Sequence, residues 1–305
     1  MWRILFFLAV AYVTAYVLTS LAPLTVSAFD ITPGTAQLAV YPLIFPVALL
    51  TAHVFVLRLF ERGKGWAFVS MDGGAARPGS LVFGASLGVL PIAIPTLLLL
   101  VAGQYVLQPT PDGSWIAATL RTSAILLPAA LWEELFFRGY PFAVIREAMG
   151  WRWALLVTSF AFGLVHIQNG GSGPQNITIV IVAGFLIGMV LIVTKSFYAA
   201  WAAHFAWNWV MACGFHVSVS GNPFERPDYE LIAVGPAWLT GGPWGPEGGL
   251  AAGVGLFAAV FYVYGRYLKP AQRQPNAPQP QQQQRASAWA DAKPARLTFD
   301  VTRTE

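Results

Sequence analysis

Two adjacent carboxylates and an arginine lie within one long apolar stretch of the sequence. The segment from Pro128 to Pro141 reads PAALWEELFFRGYP and so contains Glu133, Glu134 and Arg138. An ionisable side chain at membrane depth costs roughly 2.5–3.5 kcal/mol and by default marks a functional site. Glu134 and Arg138 are four residues apart with the acid first, which favours an ion pair on one helix face. Glu133 lies about 100° around that helix and must find its partner on another helix.

Three further polar side chains occur in later apolar stretches. His166 ends the run FGLVH, and His204 precedes Asn208 by four residues, so that these two project from one helix face. Counted along helices from the nearest basic residues, Glu133, His166 and Asn208 all lie at a depth of about 20 Å, and His204 at about 14 Å. A set of carboxylates and imidazoles at one level can activate water, ligate a metal or relay protons.

The elements that must position these residues are transmembrane helices. The chain has 305 residues, of which 56% are hydrophobic and 10% are charged, a composition typical of integral membrane proteins. Apolar runs of about 20 residues are long enough to cross a bilayer. We predict an all-α membrane bundle of about eight spans. They are Ile4–Val26, Thr35–Phe60, Gly79–Leu107, Trp115–Ile145, Trp151–Ile167, Gln175–Val193, Phe197–Val219 and Gly248–Tyr267.

The basic residues predict the orientation of these spans. Of the 18 lysines and arginines, only Arg121 and Arg226 fall on one side of the predicted membrane, Arg138 lies within a span, and the rest fall on the other side. The positive-inside rule then places both termini in the cytoplasm. Because the basic residues are dispersed over loops and a tail, the net charge of +4 does not indicate a nucleic-acid partner; we expect lipid as the surrounding medium.

The two ends of the chain need separate interpretations. Val26-Ser27-Ala28 resembles a signal-peptidase site, but the preceding apolar run is longer than the usual 7–15 residues of the apolar region of a signal peptide. We therefore predict a retained first span. Residues 1–269 are expected to form the transmembrane domain, with the polar motifs inside 126–210, and the Pro/Gln-rich residues 270–305 a disordered cytoplasmic tail.

The polar motifs resemble those of the CAAX protease and bacteriocin-processing (CPBP, or ABI) family of intramembrane proteases. The resemblance covers residues 126–210 and rests on three motifs in the family's order, EExxxR, FxxxH and HxxxN. It implies an eight-span helical fold with a catalytic cavity, in which an activated water hydrolyses a peptide bond of a membrane-associated peptide or protein. The family resemblance does not indicate which substrate is cleaved.

Within this resemblance we favour a mechanism without a metal. Glu133 is expected to act as general base on a water held jointly with His166. His204 and Asn208 are expected to donate hydrogen bonds to the tetrahedral oxyanion. Glu134 and Arg138 would orient the helix that carries Glu133.

Other chemistries remain open at this point. In a zinc-dependent version of the same protease, Glu133, His166 and His204 would supply three ligands to Zn²⁺ and water the fourth. In a transporter, the same carboxylates and histidines would form a proton or ion pathway, although the two halves of the chain show no repeat of the motif. A non-catalytic membrane scaffold would not need Glu133 at all.

Overall fold

The computed structural model describes residues 2–269, and within them the chain is a helical membrane bundle with one small sheet. The predicted tail, 270–305, lies outside the described residues. The helices are α1 Trp2–Ala28, α2 Pro33–Ala39, α3 Ile44–Phe60, α4 Pro78–Val101, α5 Trp115–Phe137, α6 Tyr140–Met149, α7 Trp151–Val165, α8 Pro174–Thr194, α9 Phe197–Trp209, α10 Ala237–Thr240 and α11 Leu250–Val263. The strands are β1 Tyr105–Pro109 and β2 Tyr229–Ala233.

The predicted all-α fold with about eight spans is confirmed. Six helical stretches are both long and apolar enough to cross a membrane. The two other predicted spans correspond to α7 and α9, which have only 15 and 13 residues. Each is extended by a further turn, a 3₁₀ turn at His166–Gln168 and a π-helical turn at Val210–Gly214. The first of these turns begins at the functional candidate His166, and the second begins two residues after Asn208.

The predicted span Gly79–Leu107 is too long at its C-terminal end. Helix α4 ends at Val101, and Gly103 follows with a φ of +69°, a conformation that favours glycine and stops a helix. The chain then continues as β1, which pairs antiparallel with β2 in the register Tyr105 to Ala233. The apolar run alone did not reveal this change because β1 is also rich in apolar residues.

The predicted span Trp115–Ile145 is broken within its most polar segment. Helix α5 ends at Phe137, and α6 begins at Tyr140 with proline in its first turn. Between them, a Cβ on Gly139 would lie 2.3 Å from the carbonyl oxygen of Leu135 and 2.4 Å from Nε2 of His53. His53 accepts a hydrogen bond from the backbone N–H of Tyr140 at 3.0 Å. His53 therefore caps the start of α6.

Small residues allow α4 to pack closely against α9. A Cβ on Gly84 would lie 2.1 Å from the carbonyl oxygen of Ala199, and one on Gly88 would lie 2.0 Å from that of Ala203. The glycines are thus used for packing within one bundle. This contact fixes the height of α9, which carries His204 directly after Ala203.

Candidate active site

One cavity of about 150 Å³ brings together four of the predicted site residues. Glu133 reaches it from α5, His166 from the turn after α7, and His204 and Asn208 from α9. Three separate helices thus bring their polar groups to one place, which is the arrangement that the common depth of these residues predicted. The rest of the wall is partly apolar and includes Phe162.

Glu133 presents an oxygen without a protein partner to this region. Its Oε2 is buried and has no hydrogen-bond partner among the described residues. Nε2 of the His204 ring lies 3.9 Å from this oxygen. Because buried polar groups are normally hydrogen-bonded, and because a separation beyond 3.5 Å is often bridged by water, this oxygen is a suitable partner for a water molecule or a substrate group.

Glu134 does not line the cavity. It contacts the nitrogen of His204 that faces away from Glu133. Its Oε1 lies 2.8 Å from Nδ1 of His204 and 3.4 Å from Nη1 of Arg138. All three side chains are at least 95% buried. A carboxylate oxygen accepts hydrogen bonds, so Nδ1 of His204 carries a proton and Nε2 faces Glu133. The predicted ion pair of Glu134 with Arg138 is present, but the contact with His204 was not predicted.

Arg138 connects Glu134 and His204 to two other helices, α7 and α8. It ends α5, and its Nη2 donates to the carbonyl oxygen of Gly184 in α8 at 3.0 Å. Its guanidinium carbon lies 4.3 Å from the ring centroid of Phe162, a distance suited to a cation–π contact. A buried cation is costly unless it is paired and hydrogen-bonded, and Arg138 has both kinds of partner.

His166 has a defined tautomer. Its Nδ1 lies 2.8 Å from the carbonyl oxygen of Phe162. Since a carbonyl can only accept, Nδ1 carries the proton, and Nε2 of the neutral ring is free to accept a proton or bind a metal. The ring of Phe162 lies 4.9 Å from that of His166 and 5.6 Å from that of His204, measured between centroids. The phenylalanine of the FxxxH motif thus packs against both histidines.

A buried carboxylate from outside the three motifs also lines the cavity. Glu247 accepts a hydrogen bond from Nε1 of Trp207 at 2.6 Å and another from the hydroxyl of Ser220 at 2.7 Å. It joins the segment before α11 to the helix that carries Asn208, one residue after Trp207. Sequence reasoning assigned Glu247 only to a loop. An acidic residue in a segment rich in glycine and proline carries no local signal of burial.

The loop after α7 begins close to the cavity. Asn169 lines the cavity, and its side-chain amide donates to the carbonyl oxygen of Ser220 at 3.0 Å. A Cβ on Gly221 would lie 2.5 Å from the carbonyl oxygen of Gly170, so the two loops touch through their backbones. The loop after α7 is therefore held against the loop that follows α9.

A protein metal site needs several ligand side chains that converge on one point. Among residues 2–269, no group of three or more His, Cys, Asp or Glu side chains is arranged to hold a metal ion. The predicted ligands Glu133, His166 and His204 line one cavity. Their side chains are not arranged to bind one metal ion together. We therefore derive no step through a metal.

Comparison with known proteins finds a family model that matches the part of the chain with the three motifs. No curated protein matches the chain significantly. Residues 114–210 match the family model described as Type II CAAX prenyl endopeptidase Rce1-like. The match contains all three motifs and every predicted site residue from Glu133 to Asn208. The resemblance seen in the motifs is confirmed: residues 114–210 are similar to the Rce1-like family, and they lie within a multi-pass membrane protein.

Proposed function

We propose that the protein is an intramembrane endopeptidase that uses Glu133 and His166 to activate water. The observation that carries this proposal is the convergence of Glu133, His166, His204 and Asn208 on one cavity. The family match supports a peptidase in general. A membrane-associated peptide or protein is the substrate class that fits a cavity formed by transmembrane helices.

The first step is attack of water on the scissile carbonyl carbon. Oε2 of Glu133 lacks a protein partner, so it is free to bind the water and take one of its protons as the oxygen–carbon bond forms. Nε2 of His166 accepts a hydrogen bond from the same water, because its Nδ1 is committed to the carbonyl oxygen of Phe162. When the carbon–nitrogen bond breaks, Glu133 returns the proton to the departing nitrogen.

The second requirement is a donor for the negative oxygen of the tetrahedral intermediate. The side-chain amide of Asn208 donates one hydrogen bond. His204 donates another from Nε2 when its ring is protonated at both nitrogens. The carboxylates of Glu134 and Glu133 lie on opposite edges of that ring, at 2.8 Å and 3.9 Å, and balance its positive charge.

A test of this proposal compares wild type with Glu133→Gln. The amide has nearly the same shape but cannot take the proton, so we expect turnover to be abolished while folding is retained. Asp112→Asn is the matched control, because Asp112 is exposed and lies outside the cavity. The measurement is release of fluorescence from a quenched prenylated CAAX peptide in proteoliposomes, together with mass spectrometry of new peptide termini in cell membranes.

The outcome also separates the proposal from the two non-enzymatic hypotheses. A scaffold would show no cleavage that depends on Glu133. A transporter would show ion or proton flux lost in Glu133→Gln without any new peptide termini. Equal cleavage of a verified substrate by wild type and Glu133→Gln would remove Glu133 from the mechanism.

The zinc-dependent version is tested separately. We expect cleavage to resist exhaustive chelation and purified protein to contain less than one zinc per chain. A three-ligand zinc would instead survive purification in part, and both metal and activity would disappear together in His204→Ala. That second result would replace the glutamate mechanism with the metal mechanism in which Glu133, His166 and His204 are ligands.

A further inference from the structure

A second cavity, which shares no lining residue with the one that contains the three motifs, lies where several helices end. Its volume is about 630 Å³. It is bounded by the loop before α4, the last turn of α6, the first residue of α7 and the end of α8. The ends of membrane-spanning helices lie at the membrane–water interface, so this cavity belongs to a membrane surface of the bundle.

Three cations from three different segments line this cavity. They are Arg77, Arg146 and Lys195. No carboxylate of the described chain lies within 4.0 Å of any of them. One acidic side chain, Asp72, lines the same cavity without forming an ion pair. The cavity thus has an excess of positive charge that the protein itself does not neutralise.

The positions of two arginines are fixed by hydrogen bonds that leave donors unused. Nη2 of Arg146 donates to the carbonyl oxygen of Phe68 at 2.8 Å, and Nε of Arg77 donates to that of Gly74 at 3.0 Å. A guanidinium has five N–H donors. Most of these donors therefore remain free for an anion, and the hydrogen bonds hold both side chains near the cavity without any ligand.

The rest of the wall is apolar and aromatic. Leu191 and Ile192 of α8 form one part, and the half-buried ring of Trp151 forms another. A free phosphate ion would gain nothing from these surfaces. A lipid would place its phosphate against the cations and its glycerol and first methylene groups against the apolar wall, beside a tryptophan at interface depth.

We propose that this cavity binds the headgroup phosphate of an anionic membrane phospholipid. Arg77, Arg146 and Lys195 contact the phosphate, and the end of α8 contacts the glycerol region. The site links the loop before α4 with α6, which follows the segment carrying Glu133 and Arg138 directly in sequence. Lipid bound here would therefore hold together the loop and the helix that adjoin the active-site segment.

The test uses the full chain in detergent and titrates it with phosphatidylglycerol or phosphatidylcholine, with bound lipid counted by native mass spectrometry. The informative variant is Arg77→Gln/Lys195→Gln, because both side chains are exposed and removing them leaves the Arg146 contact intact. The control is Arg58→Gln/Arg62→Gln, which removes the same charge from exposed positions outside this cavity. Thermal melting without lipid establishes that all variants are folded. If the double variant is not folded, Lys195→Gln is tested in its place.

We expect wild type and the control to bind phosphatidylglycerol more tightly than phosphatidylcholine. The Arg77→Gln/Lys195→Gln variant should bind it about 10- to 30-fold more weakly, since each interfacial cation contributes to attraction of anionic lipid. Equal weakening in the control would overturn the proposal, because the effect would then be one of net charge. Inorganic phosphate that binds wild type as tightly as the lipid does would also overturn it, since the apolar wall would have no role.

Discussion

Nδ1 of His204 lies 2.8 Å from Oε1 of Glu134, and this contact joins α9 to α5 behind the cavity. The two glutamates of the EE pair therefore have different environments. Each has one buried oxygen without a hydrogen-bond partner, but Glu133 lines the cavity, whereas Glu134 is fully buried between a histidine and an arginine. We infer that Glu134 is a positioning residue that sets the orientation and charge of His204.

Substitution of Glu134 should lower turnover in a graded order. Glu134→Gln keeps an oxygen that can accept from Nδ1 of His204, but it removes the charge that pairs with Arg138. Glu134→Ala removes both. We expect kcat to fall by about 10²-fold or less in Glu134→Gln and further in Glu134→Ala, with KM little changed, because the effect reaches the reaction through one oxyanion donor.

Steady-state kinetics on one verified peptide distinguishes these variants from a folding defect. Thermal melting in detergent should be reported beside each rate, since an unpaired buried Arg138 destabilises the bundle. Equal kcat in wild type and Glu134→Ala would show that the contact with His204 has no part in the reaction.

His166 and Asn208 should differ in the size of their effects. Removal of water activation is expected to cost about 10²–10⁴-fold in rate, and removal of one oxyanion donor about 10²–10³-fold. His166→Ala should therefore reduce single-turnover cleavage at least as severely as Asn208→Ala. His216→Ala is a control for loss of an imidazole, since His216 is buried outside the cavity and its Nδ1 donates to the carbonyl oxygen of Tyr229. Near-normal turnover in His166→Ala would remove this residue from the mechanism.

Sequence patterns pointed to the candidate site residues because each one violates a local rule. A charged or imidazole side chain within an apolar run is visible without any knowledge of packing, and helical rise gives its depth. The fold class followed from the same apolar runs. The helix break at Gly139 was not predicted although Gly139 and Pro141 are local signals for one, whereas the close approach of His53, which is far away in sequence, has no local signal.

The contacts that were missed are those between distant segments. The bond between Glu134 and His204 spans 70 residues, and its formation depends on how α5 packs against α9. Glu247 enters the cavity from a segment with several glycines and no periodic pattern. Neither spacing nor amphipathicity encodes such contacts, so they become evident only from the packed chain.

Because α4 packs closely against α9, a larger side chain at Gly88 should disturb the protein. A Cβ there would lie 2.0 Å from the carbonyl oxygen of Ala203, which precedes His204. Gly88→Ala should therefore separate the helices, destabilise the protein by about 1–3 kcal/mol and lower turnover. Gly79→Ala is the matched control in the same helix, since a Cβ at Gly79 meets nothing within 4 Å. Unfolding in SDS and peptide cleavage should be measured for both; identical behaviour would contradict the packing argument.

Orientation in the membrane is open to test by cysteine labelling. The distribution of basic residues places both termini and the loop before α4 in the cytoplasm, and the loop after α7 on the other side. Cys213 is the single cysteine of the chain and is buried, so Cys213→Ser provides a background without thiols. Gly170→Cys and Gly73→Cys report on the two sides, because both positions are exposed and a Cβ at either meets nothing within 4 Å.

In intact cells, an impermeant maleimide should label Gly170→Cys and leave Gly73→Cys unlabelled. After permeabilisation both should react, which controls for accessibility of the thiols. The expected asymmetry follows from the cost of moving many lysines and arginines across the bilayer during insertion, whereas only Arg121 and Arg226 need to cross. Labelling of Gly73→Cys alone in intact cells would invert the orientation. It would place the Asn169 loop in the cytoplasm, and with it the cavity wall formed by Asn169 and Ser220.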